Sequence, residues 1–229
     1  MKTLSIIIPV YNEEDTVEKL LKKIINQNLP GWRKEIIVVN DGSVDRSSQI
    51  LSKFRNSSLG IQIYNQEHQG MGQALLTGIR KATGEAVIFQ DADLEYNPSD
   101  LPDLIKPFKN PKVSVVYGSR YLKGSKKGYF IYYLGASFFT FLINKLYNCH
   151  LSDAFTGYKV FRSTVIKKIR SNYRGFEFNV DITSQILKSG IVIHEVPISY
   201  YPRTFSEGKK IDPLVGLFDL IIILKNRFF

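Results

Sequence analysis

Residues 88–98 read IFQDADLEYNP. The stretch opens apolar, as a buried strand would, and then sets Asp91, Asp93 and Glu95 at alternate positions. Extended backbone sends alternate side chains to one side, so the three carboxylates converge. Like charges that close repel, and burying them unpaired is expensive. A bound cation resolves both costs. Carboxylate oxygens suit the hard cations Mg²⁺ and Mn²⁺, and Mg²⁺ shares its coordination shell with phosphate oxygens. A helix N-cap is the competing reading of an Asp at a strand end, so the rest of the chain has to decide.

On the N-terminal side, apolar runs alternate with helical patterns. Strands are expected at Leu4–Val10, Glu35–Asn40, Ile61–Tyr64, Glu85–Gln90 and Val113–Tyr117. Helices are expected after Asn12, near 46–54, over Gly70–Ala82 and over Leu101–Phe108. The first run, LSIIIPV, is continuously apolar, as in a strand covered on both faces. This alternation predicts βαβ crossovers and a mainly parallel sheet flanked by helices, an α/β fold in one domain. Polar clusters follow four of these strands: Asn12-Glu13, Asp41-Gly42-Ser43, Asp91–Asp93 and Gly118-Ser119-Arg120. Ligands of open α/β sheets bind at that edge, so the four clusters are expected to share one crevice.

The chain has 229 residues, 44% of them hydrophobic and 23% charged, an ordinary globular composition. Lys and Arg number 31 against 21 acids, a net charge of +10, which favours anionic partners. No helix-turn-helix or RNP-type pattern accompanies that charge, so nucleic acid is not an expected partner. The single cysteine, Cys149, excludes an internal disulfide and a cysteine zinc site, and reads as a small core residue. Met1-Lys2-Thr3 leads straight into a strand, and a cytoplasmic location is the expectation. The Gly-Met-Gly of residues 70–72 lacks a third glycine and does not follow the first strand, which argues against a dinucleotide fingerprint.

The second half is less regular. The uncharged run Tyr129–Ile143 has 15 residues, short of the ~20 that cross a bilayer as a helix. DAFTGYKVFR (153–162) reads as a loop and strand, Phe176–Leu187 as a helix, and Ile191–Tyr201 as a long strand. Leu214–Leu224, followed by Lys225–Phe229, reads as a terminal helix packed on the fold, with an amphipathic membrane anchor as the alternative.

The segments SIIIPVYNEE, EIIVVNDGSVDRS, QGMGQALLTGIRKATGEAVIFQDADLEYNP, VVYGSRY, DAFTGYKVFR, GFEFNVDIT and EVPISYYPRTFSEGKKI together resemble family 2 glycosyltransferases of GT-A fold. Within that family they look most like polyprenyl-phosphate sugar synthases and their small bacterial relatives. The resemblance implies a nucleotide-binding half near residues 1–120 and an acceptor-binding half near 121–229. It implies that Pro9, Tyr11, Asn12 and Glu13 contact the nucleotide, that Asp41 reads the base, and that Gly70 and Gly72 lie over the ribose side. It implies that Asp91 and Asp93 bind donor and metal, with Glu95 where many synthases carry a glutamine ligand, and Mg²⁺ or Mn²⁺ as cofactor. Arg203, Lys209 and Lys210 match a basic arm that closes on the pyrophosphate.

The same resemblance puts Arg120 on an acceptor phosphate, for which a guanidinium offers paired donors. Lys123, Lys126 and Lys127, and the acid-free run Lys159, Arg162, Lys167, Lys168, Arg170 and Arg174, read as a basic rim beside the aromatic stretch. A nucleotide-sugar donor, a lipid-phosphate acceptor and peripheral contact with the inner face of the membrane are therefore expected. The family's RxxSxGA segment keeps only Gly135-Ala136 here, which leaves a glycan or protein hydroxyl open as the acceptor. That acceptor needs a general base, for which Asp153 and Asp181 are the candidates. A sugar nucleotidyltransferase is the distant alternative; the Gly-rich basic loop it needs after the first strand is missing from IIIPVYNEE.

Overall fold

The computed structural model describes residues 1–55, 60–122, 130–203 and 214–229. Seven strands form one sheet: β1 (Lys2–Val10), β2 (Trp32–Asp41), β3 (Ile61–Gln66), β4 (Ala86–Phe89), β5 (Val115–Ser119), β6 (Lys159–Arg162) and β7 (Ile193–Pro197), in the order β3-β2-β1-β4-β6-β5-β7. The helices are α1 (Val17–Asn26), α2 (Ser47–Ser52), α3 (Met71–Lys81), α4 (Leu101–Ile105), α5 (Phe130–Tyr147), α6 (Ser163–Ile166), α7 (Phe178–Lys188) and α8 (Leu214–Phe228).

The apolar runs become strands because helices cover both faces of the sheet. Leu4, Ile6 and Ile8 of β1 face one core with α1 and α4, while Ile7 faces a second core with α3 and α7. Neighbouring strands run parallel except around β6, which pairs antiparallel with both β4 and β5. That insertion decides the layout of the crevice. β4 and β5 both point their carboxyl ends at the same edge, and the chain enters β6 there, so the 152–158 loop lies between them.

Several elements differ from the sequence expectation for identifiable reasons. The helix expected over Leu101–Phe108 is α4 flanked by 3₁₀ turns at Pro98–Asp100 and Lys106–Lys109. Pro107 has no N–H to continue the α-helical ladder. The long strand expected to Tyr201 stops at Pro197, with a single further bridge between Tyr96 and Tyr200. The fifth strand is shifted two residues on, carrying Gly118 and Ser119 in the sheet. Among the described residues no helix is long and apolar enough to cross a membrane.

At the edge away from the crevice, Glu35 ties three strands and a turn together. Its carboxylate accepts from Ser5 Oγ (2.5 Å), Thr83 Oγ1 (2.6 Å), Thr83 N (2.9 Å) and Gln62 Nε2 (3.3 Å). Burial pushes its pKa up, but these donors outweigh it and hold the group below the ordinary glutamate value. The stabilisation is therefore present above the unfolded pKa and lost as pH falls through the folded one. Glu35→Ala is expected to cost about 2 kcal/mol in urea denaturation, from donors left unsatisfied, without changing ligand affinity at the opposite edge.

Candidate active site

The loops after β1 and β2 are cross-linked into one wall. Asn12, at φ +55°, receives Val44 N on its Oδ1 (2.9 Å) and donates its own N–H to Ser43 Oγ (3.1 Å). Glu13 N donates to Ser47 Oγ (2.8 Å). Pro9, in β1, is paired in register with Val39. Asp41 is 2% exposed and both its oxygens are engaged with the loop after β3. It accepts from Gln66 Nε2 (2.6 Å), Gln69 N (3.0 Å) and Gly70 N (2.8 Å), and lies 2.9 Å from His68 Nδ1. Asp41 thus shapes the loop that leads into α3. Gly70 enters that helix at φ +98°, where a Cβ would meet Arg174 O at 2.6 Å. His68 in turn stacks on Tyr11, centroids 3.9 Å apart, at the crevice mouth. Neither Gln66 nor His68 is singled out by the sequence motifs. The signal was there in QEHQG, a polar run closing a strand at the ligand edge.

The acidic turn after β4 is tightly determined. Tyr158 Oη donates to buried Gln90 Oε1 (2.5 Å), and Gln90 Nε2 donates to Asp91 O (3.1 Å). Gly157 packs so closely on Asp91 Oδ2 that a Cβ there would collide with it. Leu94 is held at φ +64°, a strained conformation for a branched side chain. It turns the chain so that Glu95 N donates to Asp93 Oδ1 (3.0 Å). Glu95 receives Tyr200 Oη on one oxygen (2.8 Å) and Arg203 N on the other (2.7 Å). The Arg203 guanidinium enters the same cluster, donating to Glu13 Oε2 (2.5 Å) and Asp93 O (3.1 Å). Lys209 and Lys210 lie outside the described residues, as do Lys123, Lys126 and Lys127.

Burial and mutual repulsion raise the acids. Asp93 is pushed up to about 8 by burial, then by Asp91 and Glu95; Asp91 is pushed to about 6 by burial, then by Glu95. Between the unfolded value near 4 and these values the folded chain holds protons that the unfolded chain has lost. Stability without metal is therefore expected to fall as pH rises from 5 to 8. Urea midpoints in EDTA check this, with Asp93→Asn flattening the slope.

No preassembled cluster of three or more metal-ligating side chains occurs among the described residues, and Glu95 is engaged by Tyr200 and Arg203. The donor set nevertheless fits a divalent cation. Asp91, Asp93 and Glu95 supply hard oxygens on one five-residue turn, and burial, then acid–acid repulsion, holds Asp91 and Asp93 above the ordinary aspartate value.

Across the 152–158 loop lies Arg120. Its Nε and Nη2 grip Asp153 at 2.7 and 2.8 Å, and its ring-like plane sits between Tyr121 and Tyr200, 5.4 and 5.2 Å from the centroids. Asp153 is fully buried, and Glu195 behind it accepts from Ser152 N and Asp153 N (2.7 and 2.9 Å). The carboxylate of Asp153 is thus engaged as the counter-ion of Arg120. Asp181 lies on α7 and accepts from Gln185 Nε2 (2.9 Å) and from Asn226 Nδ2 of α8 (2.7 Å), joining the two helices. The basic rim expected from Lys159 onward is also dispersed. Arg162 Nε and Lys167 Nζ donate to the carbonyls of Val113 and Ala82, and Lys159 is buried. Cys149 is half-buried, its thiol on Asn144 Oδ1, in keeping with a packing role.

The profile of Glycosyl transferase family 2 matches residues 5–170. The chain belongs to this family. As a family 2 glycosyltransferase it is 30% identical over 212 residues to a dolichol-phosphate mannosyltransferase of Pyrococcus furiosus, covering 90% of this chain and 58% of that protein. The chain thus spans little more than half of that relative. It is 26% identical to a UDP-N-acetylglucosamine--dolichyl-phosphate N-acetylglucosaminyltransferase of Methanococcus voltae, covering 98% of this chain and 96% of the relative. The fold matches glucosyl-3-phosphoglycerate synthase of Mycobacterium tuberculosis, crystallised with UDP, at a TM-score of 0.78 and 18% identity, over 98% of this chain and 80% of that one. Other crystals of that synthase hold UDP with Mg²⁺ or Mn²⁺. The GT-A architecture expected from the sequence is therefore the one the chain adopts.

Proposed function

We propose that this family 2 glycosyltransferase moves a sugar from a nucleotide-sugar donor to a polyprenyl phosphate. The observation that supports the phosphate acceptor is the state of Asp153. A hydroxyl acceptor needs a base, and the carboxylate beside Arg120 is spent on that arginine. A phosphate monoester is already ionised at neutral pH, with a second pKa near about 6, and needs none. Arg120 commits two of its five N–H groups to Asp153, so the rest can grip phosphate oxygens.

The donor side follows from the acidic turn. Asp91, Asp93 and Glu95 would hold Mg²⁺ or Mn²⁺. That cation supplies charge stabilisation for the departing diphosphate. Arg203 adds a guanidinium at the same place, and Tyr11 with His68 offers an aromatic wall for the base. The acceptor oxygen bonds to the anomeric carbon as the bond to the diphosphate oxygen breaks. Attack from the opposite face inverts that centre. The electron pair leaves with the nucleoside diphosphate, and no proton moves.

A lipid acceptor also accounts for α5 and α8. Phe130, Phe138 and Phe141 on α5 are exposed, and so are Phe218, Ile221 and Phe228 on α8. The two helices touch, Tyr147 Oη donating to Ile223 O (3.0 Å). Lys145 and Lys225 close the two apolar faces, the pattern of helices lying in a membrane interface. Ile222 and Ile223 meanwhile pack inward, so α8 packs on the fold with one face and keeps the other free for the interface in this reading. On this reading the contact would lie on the cytoplasmic side, where a nucleotide-sugar donor is at hand.

The test is transfer from a panel of UDP- and GDP-sugars, with Mn²⁺ and with EDTA, to a polyprenyl phosphate, the free polyprenol and a water-soluble glycan. Metal-dependent transfer to the phosphate alone is the expected result. Transfer to the glycan with no lipid dependence overturns the acceptor assignment.

A further inference from the structure

Lys159 is fully buried at the head of β6, in the crevice floor, and nothing in the transfer chemistry above uses it. A lysine without solvent is costly unless its charge serves something. Its Nζ donates to Thr156 O and lies 4.8 Å from the centroid of Tyr117, its register partner on β5. Tyr117 is itself fixed by Thr183 Oγ1 on α7 (2.8 Å). Among the described residues the amine has no carboxylate partner within salt-bridge distance. Instead it lies in the field of groups on both sides. Asp153 and Asp91 favour its charge, Arg120 opposes it, and burial dominates, bringing it down to about 7.

The loop that Lys159 holds is the divider of the site. At one end, Asp153 orients Arg120 and Ser152 Oγ meets Ser119 Oγ (2.7 Å). At the other, Gly157 is pressed on Asp91, its N–H on Tyr96 Oη (2.8 Å), and Tyr158 fixes Gln90 beneath the acidic turn. Thr156 sits between these ends. We propose that Lys159 is a positioning residue for glycosyl transfer: from beneath, its ammonium fixes the middle of the 152–158 loop, and its charge supports Asp91 on the donor side and Asp153 on the acceptor side together. The lysine touches neither substrate; it sets the distance between the groups that do. This rests on the crevice being a transfer site, and not on which acceptor is used.

The experiment compares full-length wild type, Lys159→Met and Lys159→Arg. Transfer to polyprenyl phosphate and hydrolysis of the donor to water are followed in parallel across pH 6 to 9. Lys159→Met is expected to lower kcat about 10²-fold, the scale of a roughly 1 Å misplacement of reacting groups, with donor KM within about threefold of wild type. The charged form is present below about 7 and lost above it, so the wild type is expected to lose kcat as pH rises through that point. Lys159→Met should lack that limb, and Lys159→Arg should move it upward while keeping more of kcat. Asp91, Asp153, Arg120 and Tyr117 are the charged and titratable groups facing the amine. A Lys159→Met protein with native circular dichroism and kcat within about threefold overturns the proposal. So does a variant profile that superimposes on wild type after scaling. If Lys159→Met does not fold, the Lys159→Arg profile and the ¹³Cε resonance of Lys159 in the wild type decide. A resonance titrating with kcat supports the role, and one that stays constant overturns it. Wild-type hydrolysis of donor without lipid transfer sinks the acceptor assignment alone, because the hydrolysis rates still report on Lys159.

Discussion

Asp93→Asn is expected to abolish metal-dependent transfer while making the folded chain more stable at pH 8. The two effects share one cause. Burial and the charges of Asp91 and Glu95 hold Asp93 protonated up to about 8, so an ionised carboxylate there is maintained against the fold's preference. An amide of the same shape removes that penalty. It also removes a hard anionic ligand and the negative charge that draws a divalent cation to the turn. Stabilisation of a leaving diphosphate by a metal is worth several kcal/mol, so the loss in kcat is about 10³-fold or more. Turnover with Mn²⁺ and urea midpoints at pH 6 and 8, on the same preparation, check both halves. Loss of activity with a lower midpoint at pH 8 would mean that Asp93 supports the fold, and the metal role would fall. Tight donor binding that survives in EDTA and in the variant would have the same consequence.

The sequence discloses the sheet well where burial is two-sided. β1, β2 and β4 are covered by helices on both faces, and such strands are written as continuous apolar runs. β6 was harder. Its four residues, KVFR, carry a charge at each end, and nothing local says that the strand is inserted antiparallel between β4 and β5. The same blindness turned Lys159 into one member of a basic surface run, when the fold buries it under the crevice. Acidic residues were legible as chemistry but not as roles. Asp91, Asp93 and Glu95 alternate along one short turn, so spacing alone gathers them. Asp153 and Asp181 are single acids whose partners, Arg120 and Asn226, come from distant segments. Only tertiary packing shows that one is a counter-ion and the other a helix clasp. The aromatic composition of α5 was visible too, but not that its outer face stays uncovered.

Arg120→Ala is expected to be the most destabilising change in the acceptor half. Asp153 is fully buried and, among the described residues, would keep only the Arg120 backbone N–H, at 3.1 Å, in place of a bidentate guanidinium. Removing one partner of such a pair typically costs about 3–5 kcal/mol, because a charge is left without its complement. Asp153→Ala should cost less, since the stranded guanidinium still lies between the faces of Tyr121 and Tyr200 and is 14% exposed. The pair Arg120→Met with Asp153→Leu removes both charges and should recover most of the stability. It should not recover transfer, because no guanidinium remains for the acceptor phosphate. Donor binding should persist in the double variant, since the acidic turn is held by Gln90, Tyr158 and Gly157 rather than by Arg120. Urea denaturation, donor titration and turnover on the three variants separate the terms. A double variant that is stable, binds donor and still glycosylates a polyprenyl phosphate would show that Arg120 holds the loop and nothing else. A stable, donor-binding and inactive one would leave the arginine its place at the acceptor, with Asp153 as the residue that aims it.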